Sequence, residues 1–211
     1  QMQQQKSLSE AMPLNTVIRF HRKSLLISVL LTWLLSAAIV VIILMAPALM
    51  QKMHHIPAAL SLQANSIATV MLLLGCIIAG WLVDRFGAGV CLSVGCLLLA
   101  ISSGLFFHVI ATHPQYLIAA YALTGLCVGT VGIVPYIMVR AFPPAVRFSG
   151  ISLAYNLSYA LFGGLTPVFV TLALRMTPLA PCGYIVGLCV MGAVTGLYLH
   201  AQTRTPRQAR A

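Results

Sequence analysis

The chain has 211 residues, of which 60% are hydrophobic and only 7% are charged. This composition is typical of one membrane-embedded bundle and leaves no room for a separate soluble domain. The formal net charge is +10, but the basic residues lie in short segments between apolar stretches. Contact with anionic lipid headgroups explains that distribution better than nucleic acid does. We therefore expect membrane lipid as a partner and no nucleic acid.

The N-terminal segment, residues 1–23, is polar and lacks the apolar core of a signal peptide. It begins at Gln1 rather than at a methionine, and it ends in a short amphipathic turn that contains Leu14, Val17 and Ile18. Two interpretations stay open: an interior linker of a longer protein, or a tail that carries residues left by cloning. We assign residues 1–23 as a cytoplasmic linker.

Six apolar stretches without Lys, Arg, Asp or Glu follow, at residues 24–50, 58–83, 90–111, 116–139, 149–174 and 183–200. At ~1.5 Å per residue, about 20 apolar residues cross the ~30 Å hydrocarbon layer of a bilayer. Each stretch is therefore long enough for one crossing, although the last is marginal. We predict an all-α bundle of six transmembrane helices over residues 24–200 and a basic cytoplasmic tail over residues 201–211.

The basic residues fall in alternate gaps between these stretches. Ten of the 12 Lys and Arg residues lie in the linker, the second gap, the fourth gap and the tail, and only Lys52 and Arg175 lie in the other gaps. Loops rich in Lys and Arg stay on the cytoplasmic side of a membrane. The pattern therefore predicts a multi-pass protein with both termini in the cytoplasm.

The six cysteines show no spacing typical of a metal site, and most of them lie inside apolar stretches, where a thiol acts as a small packing group. We expect no disulfide, no metal and no cofactor. We also expect no catalysis, because the only carboxylates are Glu10 in the linker and Asp84 at a helix end, which cannot meet for acid–base work.

Polar or small residues recur at helical spacing in four stretches, which predicts that these four helices face inward. A Ser or Thr can also simply bond its own i−4 carbonyl, so single hydroxyls stay ambiguous. The third and sixth stretches lack such a stripe, but G-x-x-x-G spacings at 183/187 and 192/196 favour close packing of the sixth. The stripes are Ser24, Ser28, Thr32 and Ser36 beside Trp33 in the first stretch; Ser61, Asn65 and Thr69 in the second; Gly125, Gly129, Gly132 and Tyr136 near Thr124 in the fourth; and Ser152, Tyr155, Asn156, Tyr159, Gly163 and Thr166 in the fifth.

A short internal similarity relates the first and fourth stretches. Residues 45–50 read MAPALM and residues 133–138 read IVPYIM, and the two segments would run in opposite directions across the membrane. Inverted three-helix repeats require this relation.

The loop after the second stretch carries a specific motif. Residues 80–89 read GWLVDRFGAG, which resembles the signature loop of the major facilitator superfamily, G-x-x-x-D-R-x-G followed by basic residues. Gly80 would let two helices approach, Gly87 would permit a turn with positive φ, and Asp84 could face the positive end of a neighbouring helix. Ala88 and Gly89 stand in place of the usual basic residues. An alternative role for Asp84 is a surface salt bridge with Arg85.

A second segment resembles one branch of that superfamily. Residues 141–150 (AFPPAVRFSG), continued by Asn156 and by residues 163–167, are similar to a loop and the eleventh helix of the metabolite:proton symporters. Carriers of proline/betaine, 2-oxoglutarate, citrate and shikimate belong to that branch. The resemblance implies the C-terminal half of a twelve-helix fold built from 3+3 inverted repeats, in a bacterial inner membrane. It also implies proton-coupled symport of a small organic acid or zwitterion by alternating access.

Together, the stripes and the resemblance nominate residues for two sites. The expected substrate-binding residues are Trp33, Ser36, Thr124, Tyr155 and Asn156, and the expected cytoplasmic gate is Gly80, Asp84, Arg85, Gly87 and Arg147. The gate would contact a missing N-terminal six-helix half, which would also hold the proton-carrying groups, because no stretch here contains a carboxylate. The alternative is a transport-inactive six-helix protein, either a remnant or an assembly partner.

Overall fold

The computed structural model describes the backbone of residues 13–208 and the side chains of residues 17–202. A short N-terminal helix, Pro13–Phe20, precedes six long helices, and no strand occurs among the described residues. All six are long and apolar enough to cross a membrane, which confirms the predicted all-α fold class. They are α1 (Arg22–His54), α2 (Ala58–Phe86), α3 (Ala88–Thr112), α4 (Pro114–Ala141) and α5 (Arg147–Ala173), followed by α6 (Ala180–Gln208).

The helices extend beyond the predicted stretches at both ends of the bundle. α1 begins at Arg22 and continues to His54, and α6 continues to Gln208, so the tail predicted from residue 201 is helical as far as it is described. The remainder of the predicted linker, residues 1–12, and the last three residues lie outside the described part of the chain.

The helix packing has an internal symmetry in which α1, α2 and α3 are equivalent to α4, α5 and α6. α1 packs against α5, and in the equivalent contact α4 packs against α2. In the same way α1 contacts α6 while α4 contacts α3, and α3 packs against its own counterpart α6. This symmetry agrees with the predicted 3+3 inverted repeats. α1 and α4 are central, whereas α2 and α5 make no substantial contact with each other.

Three prolines explain three irregular turns within these helices. Proline has no N–H and its ring collides with the carbonyl four residues earlier, so a regular α-helix cannot continue through that point. In each case that carbonyl belongs to an irregular turn: Pro47 follows the π-helical turn Ile39–Met45, Pro135 follows the 3₁₀ turn Gly129–Gly132, and Pro167 follows the π-helical turn Tyr159–Gly163. The similar segments 45–50 and 133–138 thus occupy equivalent places in α1 and α4.

Glycines allow two helix pairs to approach closely. A Cβ added to Gly125 would lie 2.2 Å from the Ala68 carbonyl oxygen, so α4 and α2 touch through their backbones. A Cβ on Gly196 would lie 2.7 Å from the Gly89 carbonyl oxygen, which brings α6 against α3. The predicted close packing is therefore confirmed for the 192/196 pair. It is wrong for Gly183 and Gly187, where an added Cβ would meet no described atom of another helix within 4 Å.

The exposed surface of the bundle differs in character from helix to helix. The outward residues of α3 and α6 are aliphatic, as a lipid-facing position requires, and include Leu97, Ile101, Val190 and Val194. In the most apolar window of each helix, 61% of α1 and 56% of α4 is buried, against 22% of α2 and 17% of α5. The corresponding shares are 44% for α3 and 28% for α6, so α2, α5 and α6 are all largely uncovered, and α5 is the least buried.

Candidate functional site

The exposed surface of α5 carries a polar and aromatic patch in its first half, which we call the aromatic strip: Ser152, Tyr155, Asn156 and Tyr159. Tyr155 and Asn156 are exposed, while Ser152 and Tyr159 are half-buried. The Tyr155 and Tyr159 rings stack with their centroids 4.7 Å apart. The amide nitrogen of Asn156 donates to the Ser152 carbonyl oxygen at 2.8 Å and to its hydroxyl at 3.2 Å. The structure thus brings two predicted site residues together on one open surface.

Trp33 lies on the other side of α5, in a cluster that joins α1, α5 and α6. Its ring stacks on Phe162 with centroids 4.0 Å apart, and its indole nitrogen donates to the Tyr184 hydroxyl at 2.8 Å. The Tyr184 hydroxyl lies 2.9 Å from the hydroxyl of Thr166. Trp33 is therefore a half-buried packing residue whose polar atom already has a protein partner.

The sequence did not predict that Phe162 and Tyr184 would lie in this cluster, and it wrongly predicted that Thr166 would share a face with Tyr155. The predicted stripe continued through Gly163 to Thr166 in regular helical steps, but the π-helical turn Tyr159–Gly163 adds a residue to one turn and rotates everything after it. Thr166 therefore points into the bundle, and Phe162 meets Trp33. The signal available in the sequence was Pro167, whose effect on the preceding turn can be anticipated.

The other two predicted substrate residues are fully buried. The Ser36 hydroxyl donates to the Trp33 carbonyl oxygen of its own helix at 3.0 Å. The Thr124 hydroxyl lies 2.8 Å from the Ala120 carbonyl oxygen and 3.0 Å from the Ser102 carbonyl oxygen, so it connects α4 to α3. Neither side chain reaches the aromatic strip, and both hydroxyls are occupied by backbone acceptors.

A buried tyrosine connects the central helices to α2. Tyr121 of α4 is completely buried and stacks on Phe106, with ring centroids 4.5 Å apart. Its hydroxyl lies 2.5 Å from both the Ile42 carbonyl oxygen and the Asn65 side-chain oxygen. Ile42 belongs to the π-helical turn of α1, where widened geometry frees a carbonyl for an outside donor. Asn65, part of the predicted stripe of α2, therefore has a structural partner.

At one end of the bundle, the turn between α2 and α3 carries the predicted gate residues. Gly87 has φ of 85°, which confirms the positive φ predicted there. The Arg85 guanidinium lies 5.8 Å from the Trp81 ring centroid and 5.7 Å from that of Phe86. The Asp84 side chain is exposed and has no ion pair or hydrogen bond with any described residue. The alternative salt bridge with Arg85 is thus absent from this bundle.

Gly80 and Arg147 complete the predicted gate. Gly80 is exposed, and a Cβ there would meet nothing within 4 Å, so it brings no two helices of the described bundle together, and its place in the gate stays a prediction. Arg147 begins α5, and its Nε donates to the Phe142 carbonyl oxygen at 3.3 Å. The first turn of α5 contains no acidic residue and its N-cap, Val146, provides no side-chain cap. The positive side chain of Arg147 therefore lies at the positive end of the helix dipole.

A sequence profile of the Major Facilitator Superfamily matches residues 3–167, which is most of the chain. The chain belongs to this superfamily. Its six helices and their inverted-repeat packing are consistent with one half of the superfamily fold, and it is a multi-pass membrane protein of a transporter family.

Two relatives give the similarity more detail. The chain is 37% identical over 67 residues to the ectoine/proline transporter ProP of Corynebacterium glutamicum, covering 31% of this chain and 13% of that one. It is 35% identical over 60 residues to a putative proline/betaine transporter of Staphylococcus aureus, covering 28% of this chain and 13% of that one. The alignments thus span only a small part of each relative. No solved structure matches the chain.

The structure explains why this superfamily member departs from the usual signature loop at residue 89. A Cβ on Gly89 would lie 2.7 Å from the Gly196 carbonyl oxygen and 2.7 Å from the His200 backbone nitrogen. A lysine or arginine at this position would collide with the backbone of α6. Close packing of α3 against α6 therefore excludes the usual basic residue here.

Proposed function

We propose that this chain forms one half of a proton-coupled secondary transporter that moves a small zwitterion or organic acid by alternating access. The observation that carries the proposal is the uncovered surface of α2 and α5. The buried share of their most apolar windows is 22% and 17%, although α5 exposes Asn156 and Tyr155. The amide nitrogen of Asn156 is bonded to Ser152, but its carbonyl oxygen would lack a partner in hydrocarbon. A second six-helix half and a water-filled path between the halves would supply one.

Charges at one end of the same two helices support a gate. Asp84 lies in the last turn of α2, where the helix dipole disfavours an anion, and no described residue pairs with it. Arg147 begins α5, where the dipole disfavours a cation. Both groups would be stabilised by opposite charges or helix ends of the other half. Breaking those contacts would open this side of the carrier, and reforming them would close it.

The cargo and the coupling depend on groups from both halves. The relatives' names, ectoine/proline and proline/betaine transporters, favour a zwitterionic cargo. Asp84 is the sole carboxylate among the described side chains and lies at a helix end, so the proton-carrying groups would lie in the other half. The basic end of the bundle would face the cytoplasm of a bacterial inner membrane. The chain would act as a carrier and not as an enzyme.

Uptake measurements on the complete reading frame test this proposal. Cells that lack their own carriers and express it should accumulate labelled proline or glycine betaine, and a protonophore should abolish the accumulation. Asp84→Asn should lower the uptake rate about ten-fold or more, because the gate loses its charge. Asp84→Glu keeps the charge and should retain more uptake.

His108→Ala is the matched control, because this exposed residue of α3 should not take part in coupling. Proton-dependent uptake should survive the substitution. No accumulation of any candidate solute in cells with normal amounts of protein would instead favour the alternative, a transport-inactive six-helix protein. Unchanged uptake by Asp84→Asn would remove the gate from the proposal.

A further inference from the structure

The exposed surface of α5 has two flanks of different chemistry. Successive residues of a helix are about 100° apart, which places the four residues of the aromatic strip within one arc of roughly 100°. The opposite flank of the exposed surface is aliphatic and contains Leu157 and Leu161. The aromatic strip therefore differs from the middle of α3 and α6, where the exposed large side chains, such as Leu97, Ile101, Val190 and Val194, are aliphatic.

The aromatic strip offers an open ring face beside an oriented acceptor. Tyr159 covers one side of the Tyr155 ring at 4.7 Å, while Tyr155 remains 38% exposed. The amide nitrogen of Asn156 is held by both the carbonyl and the hydroxyl of Ser152. Its carbonyl oxygen accepts no hydrogen bond from any described residue. The held amide thus presents one unused acceptor next to an aromatic face.

These features fit a cation better than an anion. The faces of tyrosine rings are electron-rich and attract cations, more strongly where water is excluded. An amide oxygen accepts an N–H bond and would repel a carboxylate. The sole carboxylate among the described side chains is Asp84, at the end of α2, so an ammonium group at the aromatic strip would depend on aromatic faces and neutral oxygens for stabilisation.

We infer that the aromatic strip binds the cationic end of a zwitterionic cargo, an N-alkylated or quaternary ammonium, against the open face of Tyr155. Where the ammonium carries an N–H, the Asn156 side-chain oxygen accepts it. The inference rests on the proposed transport function and narrows its cargo from small zwitterions and organic acids to N-alkylated zwitterions. It also assigns separate tasks to two neighbouring residues, which makes it testable with two cargoes.

The test compares proline, whose ammonium has N–H groups, with glycine betaine, whose ammonium has none. The complete protein is expressed in cells without their own carriers for these solutes, and the affinity for each labelled solute is measured in uptake and in binding to the purified protein. Tyr155→Leu should weaken both solutes about ten-fold or more, and Tyr155→Phe should leave both within about two-fold. Asn156→Leu should weaken proline and spare glycine betaine. Leu157→Ala, on the aliphatic flank, is the matched control and should change neither.

A second series of variants makes the ring face at position 155 less electron-rich while nearly preserving its shape. Phenylalanines with one, two and three fluorine atoms at position 155 should weaken glycine betaine step by step, because fluorine withdraws electron density from the ring face. This series decides the matter if Tyr155→Leu fails to reach the membrane. A merely structural role in packing against the other half would give no such progression.

The outcomes separate this inference from the proposed function. If the unmodified protein takes up organic acids but neither proline nor glycine betaine, transport stands and the inference is overturned. If both zwitterions are taken up and bind equally well after Tyr155→Leu and across the fluorinated series, the inference is again overturned. Equal losses for both solutes in Asn156→Leu would remove the role assigned to Asn156. Uptake of no solute at all would overturn the proposed function and the inference together.

Discussion

Two buried serines on neighbouring helices show how differently the same hydroxyl can be used. Ser158 of α5 donates to the Val29 carbonyl oxygen of α1 at 3.0 Å and so connects two helices. Ser28 of α1 is equally buried, but its hydroxyl has no hydrogen-bond partner among the described residues. An interhelical hydrogen bond in a membrane protein contributes about 0.6 kcal/mol and up to ~1.7 kcal/mol. A buried hydroxyl without a partner is unfavourable.

Alanine substitutions should therefore have opposite effects at these two positions. Ser158→Ala should lower the free energy of unfolding by about 0.6–1.7 kcal/mol, while Ser28→Ala should leave it unchanged or raise it by up to about 1 kcal/mol. Thermal unfolding in detergent can be followed with a thiol-reactive dye, because Cys96 and Cys189 are buried until the bundle opens. A loss of stability in Ser28→Ala as large as in Ser158→Ala would show that Ser28 has a partner in solution.

The helices pack through their backbones where glycines allow it. In lipid the hydrophobic effect does not hold helices together, so these van der Waals contacts contribute to their association. Gly125 and Gly129 of α4 lie against the backbone of Ala68 and Gly75 in α2. In hydrocarbon, such small residues let dispersion contacts act over a long interface. The spacing alone does not identify them, since Gly183 and Gly187 have the same spacing, but an added Cβ there would meet no described atom of another helix within 4 Å. A glycine pair forms a close contact only where the fold places another helix against it.

Gly125→Ala should therefore destabilise the bundle by about 1–3 kcal/mol, the usual cost of forcing extra volume into a packed contact. The new methyl group would lie 2.2 Å from a backbone oxygen, and a backbone cannot move aside as a flexible side chain can. Gly187→Ala is the control and should be neutral or slightly stabilising, because alanine favours helix and meets no neighbour. The same unfolding midpoints measure both variants, and equal midpoints would contradict the close approach of α2 and α4.

The symmetric packing of the six helices explains which helices are buried and which are exposed. Pairing α1 with α5 and α4 with α2 buries the two central helices, but it leaves the outer faces of α2 and α5 without a partner. The exposed residues of these two helices include Asp84 at the end of α2 and Tyr155 and Asn156 on α5, beside aliphatic side chains. These exposed polar groups are the ones that the proposed second half would cover.

The predicted orientation can be measured with two cysteines at opposite ends of α5. Ala145 precedes this helix and Met176 follows it, and both are exposed. After the six native cysteines are replaced, a membrane-impermeant maleimide should label Met176→Cys in intact cells. It should label Ala145→Cys only after permeabilisation, since the loop of Ala145 lies on the side rich in Arg and Lys. The reverse pattern would invert the topology and exclude a cytoplasmic gate at Asp84.

Much of the fold could be predicted from the sequence because apolar length, charge asymmetry and turn residues act locally. The six spans, the inverted repeats and the positive φ of Gly87 each follow from a short window of residues. The positions of Ser36, Thr124 and Trp33 could not be predicted in this way. Trp33 and Thr124 have partners on other helices, at Tyr184 and Ser102, and the burial of Ser36 depends on helices packed around it rather than on its local bond to Trp33.

Residue types and their spacing were enough to predict six helices long enough to cross a membrane and to identify the polar residues within them. Which of these polar residues stay exposed depends instead on how the helices pack. A π-helical turn before Pro167 rotates the second half of α5, so Thr166 turns inward to Tyr184 while Tyr155 and Asn156 remain on the open face. The physical reason is that helix rotation and packing partners, which set exposure, depend on contacts between segments distant in the chain.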